Sequence, residues 1–221
     1  MIIKSTYPTM EESARLIPPD VNVKLMLRHS LRQSLKGLEQ PENVSLTIKG
    51  EKLAYDFGAN LEYPIGTTCS SVVQRCQQTV DFILKGKNIY NHTAIKLIDM
   101  RKFYASNVLL SNQYFDIVKS GKILISKLLK NENIPGFYSI KECAEKQLDF
   151  IFNIGNEWST IDLFCTHDFQ IMCLVSWLFN YSSDVEIIRK EWPQMLEGVF
   201  FWGSRDDFYC IWRANVLHFC Q

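Results

Sequence analysis

Arginine and histidine side chains occur in this sequence at the ends of apolar strands. The stretch LMLRHSLR closes an alternating apolar run with Arg28 and His29, and Arg32 follows. Two further junctions between a strand and a helix carry polar residues, namely Ser70, Ser71 and Arg75 in the first and Thr166, His167 and Asp168 in the second. A guanidinium fork matches the oxygens of a phosphate, and an imidazole nitrogen can attack phosphorus or hydrogen-bond a growing charge. Together these residue types are typical of phosphomonoester cleavage through a phosphohistidine.

The same residues also allow plainer interpretations. Nearby guanidiniums should keep at least one imidazole neutral, and the Asp168 carboxyl group could give a proton to a departing alkoxide. Taken singly, however, His29 or His167 is more often a hydrogen-bonded core residue than a catalyst, and Asp168 could simply cap the following helix. Ser70 and Ser71 could cap the next helix in the same way. The catalytic interpretation therefore requires the three junctions to meet in space.

Hydrophobic periodicity predicts alternating strands and helices. Strands are predicted at residues 21–28, 66–71, 160–166, 196–203 and 206–214, with a shorter one near 94–100. Helices are predicted at residues 45–61, 72–86, 139–155 and 169–181, with another near 125–133. Ser45 or Thr47 could cap the first of these helices, Ser139 and Glu142 predict a capping box, and Gly86 and Gly155 each end a helix.

This alternation predicts an α/β fold, a three-layer α/β/α sandwich with helices on both faces of a mostly parallel sheet. The last two strands are expected to be antiparallel, so that the sheet is mixed. In open α/β sheets, ligands bind outside the carboxyl ends of the strands, where helix N-termini favour an anion. All three polar junctions should therefore lie along one edge of one sheet.

Four motifs resemble the histidine phosphatase superfamily, and they occur in its order. LRHSLR is similar to the R-H-G-x-R signature, and SLTIKGEKLAYDFGANL is similar to the L-T-x-x-G stretch that follows it. CSSVVQRCQQTV resembles S-S-P-x-x-R-C-x-x-T-A, and THDFQI resembles the H-D motif of the acid-phosphatase branch. Three positions depart from these patterns, with Ser30 in place of a glycine, Val72 in place of a proline and Val80 in place of a small residue.

The resemblance implies a phosphoglycerate mutase-like fold in one domain, residues 1–221, with residues 87–137 as the substrate cap. It implies that His29 is the nucleophile that becomes phosphorylated and that Asp168 is the proton donor. The phosphate-binding residues that it implies are Arg28, Arg32, Arg75 and His167. No metal and no cofactor are implied. A phosphate-binding or protein-interaction module that has lost turnover is the alternative, motivated by Ser30, and a phosphomutase is a narrower one.

Composition limits the partners. The 24 basic and 24 acidic residues cancel, so there is no global positive field to gather nucleic acid or an anionic membrane. The seven cysteines are odd in number and lack C-x-x-C spacing, which indicates neither a disulfide framework nor a zinc site. Reduced thiols, with neither a secretory signal nor a long apolar run, favour a cytoplasmic location. The expected partner is a phosphorylated small molecule or a phosphopeptide, and the oligomeric state is not predicted. His92 and His218 lie at no such junction and are expected to be structural or exposed.

Overall fold

A computed structural model describes residues 8–35, 40–90, 95–155 and 157–220, and a seven-stranded sheet runs through the described residues. The strands are β1 (Val23–Arg28), β2 (Ile65–Ser71), β3 (Lys96–Ile98), β4 (Ile161–Thr166), β5 (Gly198–Gly203), β6 (Asp207–Trp212) and β7 (Asn215–Cys220). They lie side by side in the order β3-β2-β4-β1-β5-β6-β7. The strands from β3 to β1 are parallel, whereas β5, β6 and β7 join antiparallel. The predicted mixed sheet is confirmed.

Eight α-helices are found in the described part of the chain. They are α1 (Pro8–Arg15), α2 (Ile48–Ala59), α3 (Gln74–Gly86), α4 (Val108–Val118), α5 (Gly121–Leu129), α6 (Ile140–Phe152), α7 (Asp168–Leu178) and α8 (Val185–Lys190). Short 3-10 helices lie at Pro41–Asn43 and Met100–Phe103. None of the helices in the described ranges combines the length and the apolar run that crossing a bilayer requires.

The helices cover both faces of the sheet. Side chains alternate along β1, so that Leu25 and Leu27 belong to one apolar cluster and Met26 belongs to the other. The first cluster contains side chains from α1, α2 and α3, and the second contains side chains from α4 to α8. The predicted three-layer α/β/α arrangement is therefore confirmed.

Three parallel strands end together at one edge of the sheet. β4 lies between β2 and β1, and the register pairs Arg28 with Thr166 and Ser70 with Cys165. The residues that follow β1 and β4, His29 and His167, therefore leave neighbouring strands at the same level. This register is what brings distant parts of the sequence to one place.

Two glycines allow α2 to approach its neighbours closely. A Cβ atom at Gly50 would overlap the carbonyl oxygen of Leu31 in the loop after β1, and one at Gly86 would overlap the carbonyl oxygen of Tyr55 in α2. Gly86 is the last residue of α3, as predicted, but Lys87 after it has an ordinary φ of −84°. Close helix packing, rather than a left-handed cap, therefore requires glycine at this position.

The predicted caps are found with one choice resolved. Thr47 rather than Ser45 is the N-cap of α2, because its side chain accepts a hydrogen bond from the backbone N–H of Gly50. The capping box of Ser139 and Glu142 at the start of α6 is complete. α6 ends before Gly155, whose φ is +70°.

Four elements were not predicted, namely α1, α4, α8 and β7. The last of them follows a tight turn in which Arg213 and Ala214 have φ values of +49° and +60°. Such two-residue turns normally use asparagine or glycine, so this sequence gave no sign of a hairpin. The strand predicted to run to residue 214 consequently ends at Trp212.

Candidate active site

The guanidinium of Arg75 lies between two histidine rings. Its Nε is 3.2 Å from Nε2 of His29, and its Nη2 is 3.4 Å from Nδ1 of His167. The two rings pack edge to face with their centroids 5.5 Å apart. His29 follows β1, His167 follows β4, and Arg75 lies in the first turn of α3, after β2. The three polar junctions of the sequence thus meet in direct contact.

His29 is held as a neutral imidazole with a defined tautomer. Its Nδ1 is 2.8 Å from the carbonyl oxygen of Ser30, and because a carbonyl only accepts, Nδ1 carries the proton and Nε2 keeps its lone pair. The residue is 2% exposed. Burial lowers the pKa of His29 well below its usual value, and the charges of His167 and the neighbouring guanidiniums lower it further, against the opposing effect of the Ser30 hydrogen bond. His29 therefore offers a free lone pair at neutral pH.

His167 is oriented by groups on β2 and α3. It occupies the N-cap position of α7, and its Nε2 is 3.1 Å from the hydroxyl of Ser71. Since Arg75 can only donate to Nδ1, the ring proton lies on Nε2 and is donated to Ser71. The buried thiol of Cys76 contacts the same ring, with Sγ 3.7 Å from Nε2. The N-cap of α3 is Val73, so Ser71 orients His167 instead of capping that helix.

Arg28 and Asp168 form an ion pair beside the histidines. Nη2 of Arg28 is 2.7 Å from Oδ2 of Asp168, and Nη1 donates to the carbonyl oxygen of Pro193. The indole N–H of Trp192 donates to the same Asp168 oxygen across 3.1 Å. Asp168 is the first residue of α7 rather than its N-cap. Its carboxylate is thus held by two donors, while Nε of Arg28 is buried and has no hydrogen-bond partner among the described residues.

Arg32 lies near this ion pair but bonds to the backbone. It forms an isolated antiparallel bridge with Leu46, and its Nη1 donates to the carbonyl oxygen of Gln33 across 2.8 Å. Burial lowers the pKa of Arg32, and the like charge of Arg28 lowers it further. Of the three predicted arginines, Arg75 contacts the histidines, Arg28 contacts Asp168, and Arg32 lies at the margin.

Ser30 fits the position of the family glycine. Its backbone N–H donates to Oγ1 of Thr79 across 2.9 Å, and its hydroxyl donates to the carbonyl oxygen of Gly50 across 2.7 Å. Ser30 does not have a positive φ, so glycine is not required there by the backbone. The serine hydroxyl is used to hold the loop after β1 against α2.

A cavity of about 610 Å³ opens beside His167 and Arg75. That volume is within the range of small-molecule sites. One side is formed by residues that flank the sheet edge, and the other by residues that lie within 87–137. The latter are Asp99, Met100, Arg101, Tyr104, Asn112 and Phe115. The segment predicted as a substrate cap therefore contributes much of the wall, although its strand β3 is part of the sheet.

Sequence reasoning missed three residues of this region. Asp99 follows β3 at the same sheet edge, so the rule used for the other strands could have found it. Gln170 lines the cavity, is 4% exposed, and its Oε1 has no hydrogen-bond partner among the described residues. Its place two residues after Asp168 was the available signal. Trp192 lies in an irregular segment, where neither periodicity nor a motif points to it.

The other histidines and the metal-binding residue types lie apart from this site. His218 is on β7 with its Nε2 2.6 Å from Asp207, and His92 lies outside the described residues. Within the described ranges, no three histidine, cysteine, aspartate or glutamate side chains are grouped so as to hold a metal ion.

Comparisons with known proteins bear on the fold. A scan against protein-family models finds no match, and a search of curated proteins finds none. Among solved structures, mycobacterial glucosyl-3-phosphoglycerate phosphatase matches with a TM-score of 0.56 and 13% identity, covering 87% of this chain and 99% of that one. Mycobacterial hydrolase 1 matches with a TM-score of 0.55 and 15% identity, covering 87% and 98%. Phosphoserine phosphatase from Entamoeba histolytica, solved with 3-phosphoglyceric acid, gives 0.52 and 13%, covering 81% and 90%.

These likenesses establish the class of fold. The chain has the phosphoglycerate mutase-like fold of histidine phosphatases, as the sequence motifs predicted. The assignment to the acid-phosphatase branch stays a prediction.

Proposed function

We propose that this protein is a phosphatase that hydrolyses a phosphomonoester through a phosphohistidine on His29. One observation carries the proposal, namely a buried, neutral His29 whose unprotonated Nε2 faces the guanidinium of Arg75. Fold neighbours that are named as phosphatases support the general activity. The proposed substrate is a phosphorylated small molecule or a phosphopeptide.

The contacts support a two-step reaction. Phosphoryl oxygens would accept the hydrogen bonds of Arg75 and release Nε2 of His29, which then attacks phosphorus while the bond to the leaving oxygen breaks. His167 and Arg32 would bind the phosphoryl group together with Arg28, whose buried Nε still lacks a partner among the described residues. Water would then attack the phosphohistidine and release phosphate.

Asp168 is the proposed proton donor to the leaving oxygen, and Asp99 is the competing carboxyl group. Asp99 lines the cavity, but hydrogen bonds from Arg101 lower its pKa and favour the ionised form, which suits an acid poorly. Asp168 is bound to Arg28 and Trp192 in the free protein. Its role as donor therefore requires the phosphoryl group to draw Arg28 away.

Turnover of a panel of phosphomonoesters tests the proposal. Wild type should release phosphate, His29→Ala should release none above background, and His218→Ala, a change at an exposed histidine, should match wild type. A wild type that binds phosphate or vanadate but hydrolyses no ester would favour the binding module. Transfer to an added alcohol without release of phosphate would favour a phosphomutase.

Leaving-group dependence separates the two carboxyl groups. If Asp168 is the donor, Asp168→Asn should slow alkyl phosphates far more than activated aryl phosphates, whose phenolates leave without a proton. Asp99→Asn should then slow both classes alike. The reverse pattern would assign the proton to Asp99.

A further inference from the structure

An aromatic wall lines the cavity beyond the phosphoryl site. It is formed by Tyr104, Phe115 and Phe169, all of which contribute to the cavity lining. The rings of Tyr104 and Phe115 each lie edge to face with Phe169 at a centroid distance of 5.2 Å. Phe169 follows His167 by two residues, so the wall begins next to the imidazole. A planar apolar group could therefore pack on it while its phosphate reached Arg75.

The charges beyond the phosphoryl site do not favour an anion. Arg101 is bound to Asp99 by hydrogen bonds of 2.9 and 2.7 Å, so this pair is neutral overall. Glu42, in the 3-10 helix Pro41–Asn43, adds a further carboxylate to the lining. Apart from Arg75, which faces the histidines, the described lining thus carries one more negative than positive charge. A second anionic group on the substrate would be repelled there.

The cavity also holds an amide that lacks a partner. Gln170 is 4% exposed, and its Oε1 makes no hydrogen bond within the described ranges. A buried acceptor left unpaired costs free energy that a donor on a ligand would recover. This is a second, independent sign that the cavity is built to be filled by a ligand.

We propose that the cavity selects phosphomonoesters whose leaving group is aromatic and carries no negative charge. This inference rests on the proposed function, because it assigns the remainder of the substrate of the same site. The volume of about 610 Å³ is far more than a phosphoryl group needs, and the wall, the charge and the free amide all lie in that additional space.

Substrates that share one reacting centre test the inference. Benzyl, n-butyl, 4-carboxybenzyl and 4-(aminomethyl)benzyl phosphate all release a primary alcohol, so their intrinsic reactivities are similar. Benzyl phosphate should exceed n-butyl phosphate about five-fold in kcat/KM, the size of effect expected for aromatic packing. The carboxylate should cost about three-fold or more relative to benzyl, and the ammonium should not. Equal values for benzyl and n-butyl phosphate, or a preference for the carboxylate, would overturn the inference while leaving the phosphatase proposal intact.

Variants assign the effects to residues. Phe115→Leu should reduce the preference for benzyl over n-butyl phosphate at least two-fold. Glu42→Gln should narrow the difference between the carboxylate and ammonium esters. Leu109→Ala is the matched control, because Leu109 lies on the same helix as Phe115 but is 75% exposed, and it should alter neither preference. An unchanged preference in Phe115→Leu would remove the wall from the account.

Binding separates this inference from the chemistry. Calorimetric titration of the four esters into His29→Ala protein should give the same order of affinities, because no turnover is needed. If wild type hydrolyses no ester but this order holds, the proposed function fails and the cavity assignment stands. If all four esters bind equally, or none binds, the cavity assignment fails.

Discussion

Arg75 donates its Nε–H to Nε2 of His29 across 3.2 Å. The residue proposed to bind the phosphoryl oxygens therefore covers the nucleophilic lone pair until a substrate supplies better acceptors. The same guanidinium reaches Nδ1 of His167, so a single side chain links the loops after β1 and β4. An arginine fork can do this because its donors are fixed in one plane.

Replacement of that fork by a single ammonium should be costly. Arg75→Lys keeps the positive charge but cannot bridge both imidazoles, so we expect kcat/KM to fall about 100-fold, as on loss of a transition-state donor. Arg189→Lys, at an exposed position of α8, should have no effect. A loss below three-fold, with unfolding temperatures equal to wild type, would show that charge alone suffices.

His29 should make stability depend on pH. Its pKa is lowered by burial in the folded protein, so below the unfolded value of about 6.5 the unfolded chain binds a proton that the folded chain does not. The free energy of unfolding should therefore fall as the pH drops from 6.5, by up to about 1.4 kcal/mol per pH unit. Denaturant unfolding of wild type and His29→Asn between about pH 5 and pH 7 measures this. The variant should lose this part of the slope, His218→Asn should retain it, and equal slopes in all three proteins would contradict a neutral buried imidazole.

Ser30 should matter for stability rather than for chemistry. Ser30→Ala leaves the Gly50 carbonyl without its 2.7 Å partner and should lower the free energy of unfolding by about 1 kcal/mol. Ser30→Gly should lower it further by about 0.5 kcal/mol or more, because glycine gains backbone freedom in the unfolded chain. Neither change should raise kcat. A Ser30→Gly protein with much higher activity would instead indicate that serine at this position impairs the site.

Gln170 should show the opposite relation between stability and binding. Gln170→Met has a similar volume and removes the unpaired Oε1, so the free energy of unfolding should rise by about 1 kcal/mol. Affinity for esters that carry an N–H or O–H donor should fall. Gln147→Met is the control, since its Oε1 also lacks a partner among the described residues, but its Nε2 is bonded to Cys143 and it does not line the cavity. A less stable Gln170→Met protein would mean that the amide is already satisfied.

The histidines and Arg75 could be predicted because parallel strands bring their carboxyl ends to one edge. Each of these residues follows a strand with clear apolar character, and register did the rest. The partners of Arg28 could not be predicted. They lie on the irregular segment at Trp192 and Pro193, whose position depends on long-range contacts such as the ion pair of Arg213 with Glu197.

The wall of the cavity was equally hidden from sequence patterns. α4 has a single fully buried residue, Ser111, so its apolar residues do not form the stripe that marks an amphipathic helix. Phe115 and Tyr104 are brought onto Phe169 only by tertiary packing. The chemistry of this protein is thus readable from strand ends, whereas its selectivity depends on residues that local patterns do not order.

Trapping of a phosphoryl group on His29 tests the central claim most directly. Wild type mixed with a phosphomonoester and quenched in base within one turnover should carry an acid-labile, base-stable phosphate on the peptide that contains His29, detectable by mass spectrometry. His29→Asn should carry none under the same conditions. Turnover by wild type without any label on His29, or a label on another residue, would contradict the mechanism.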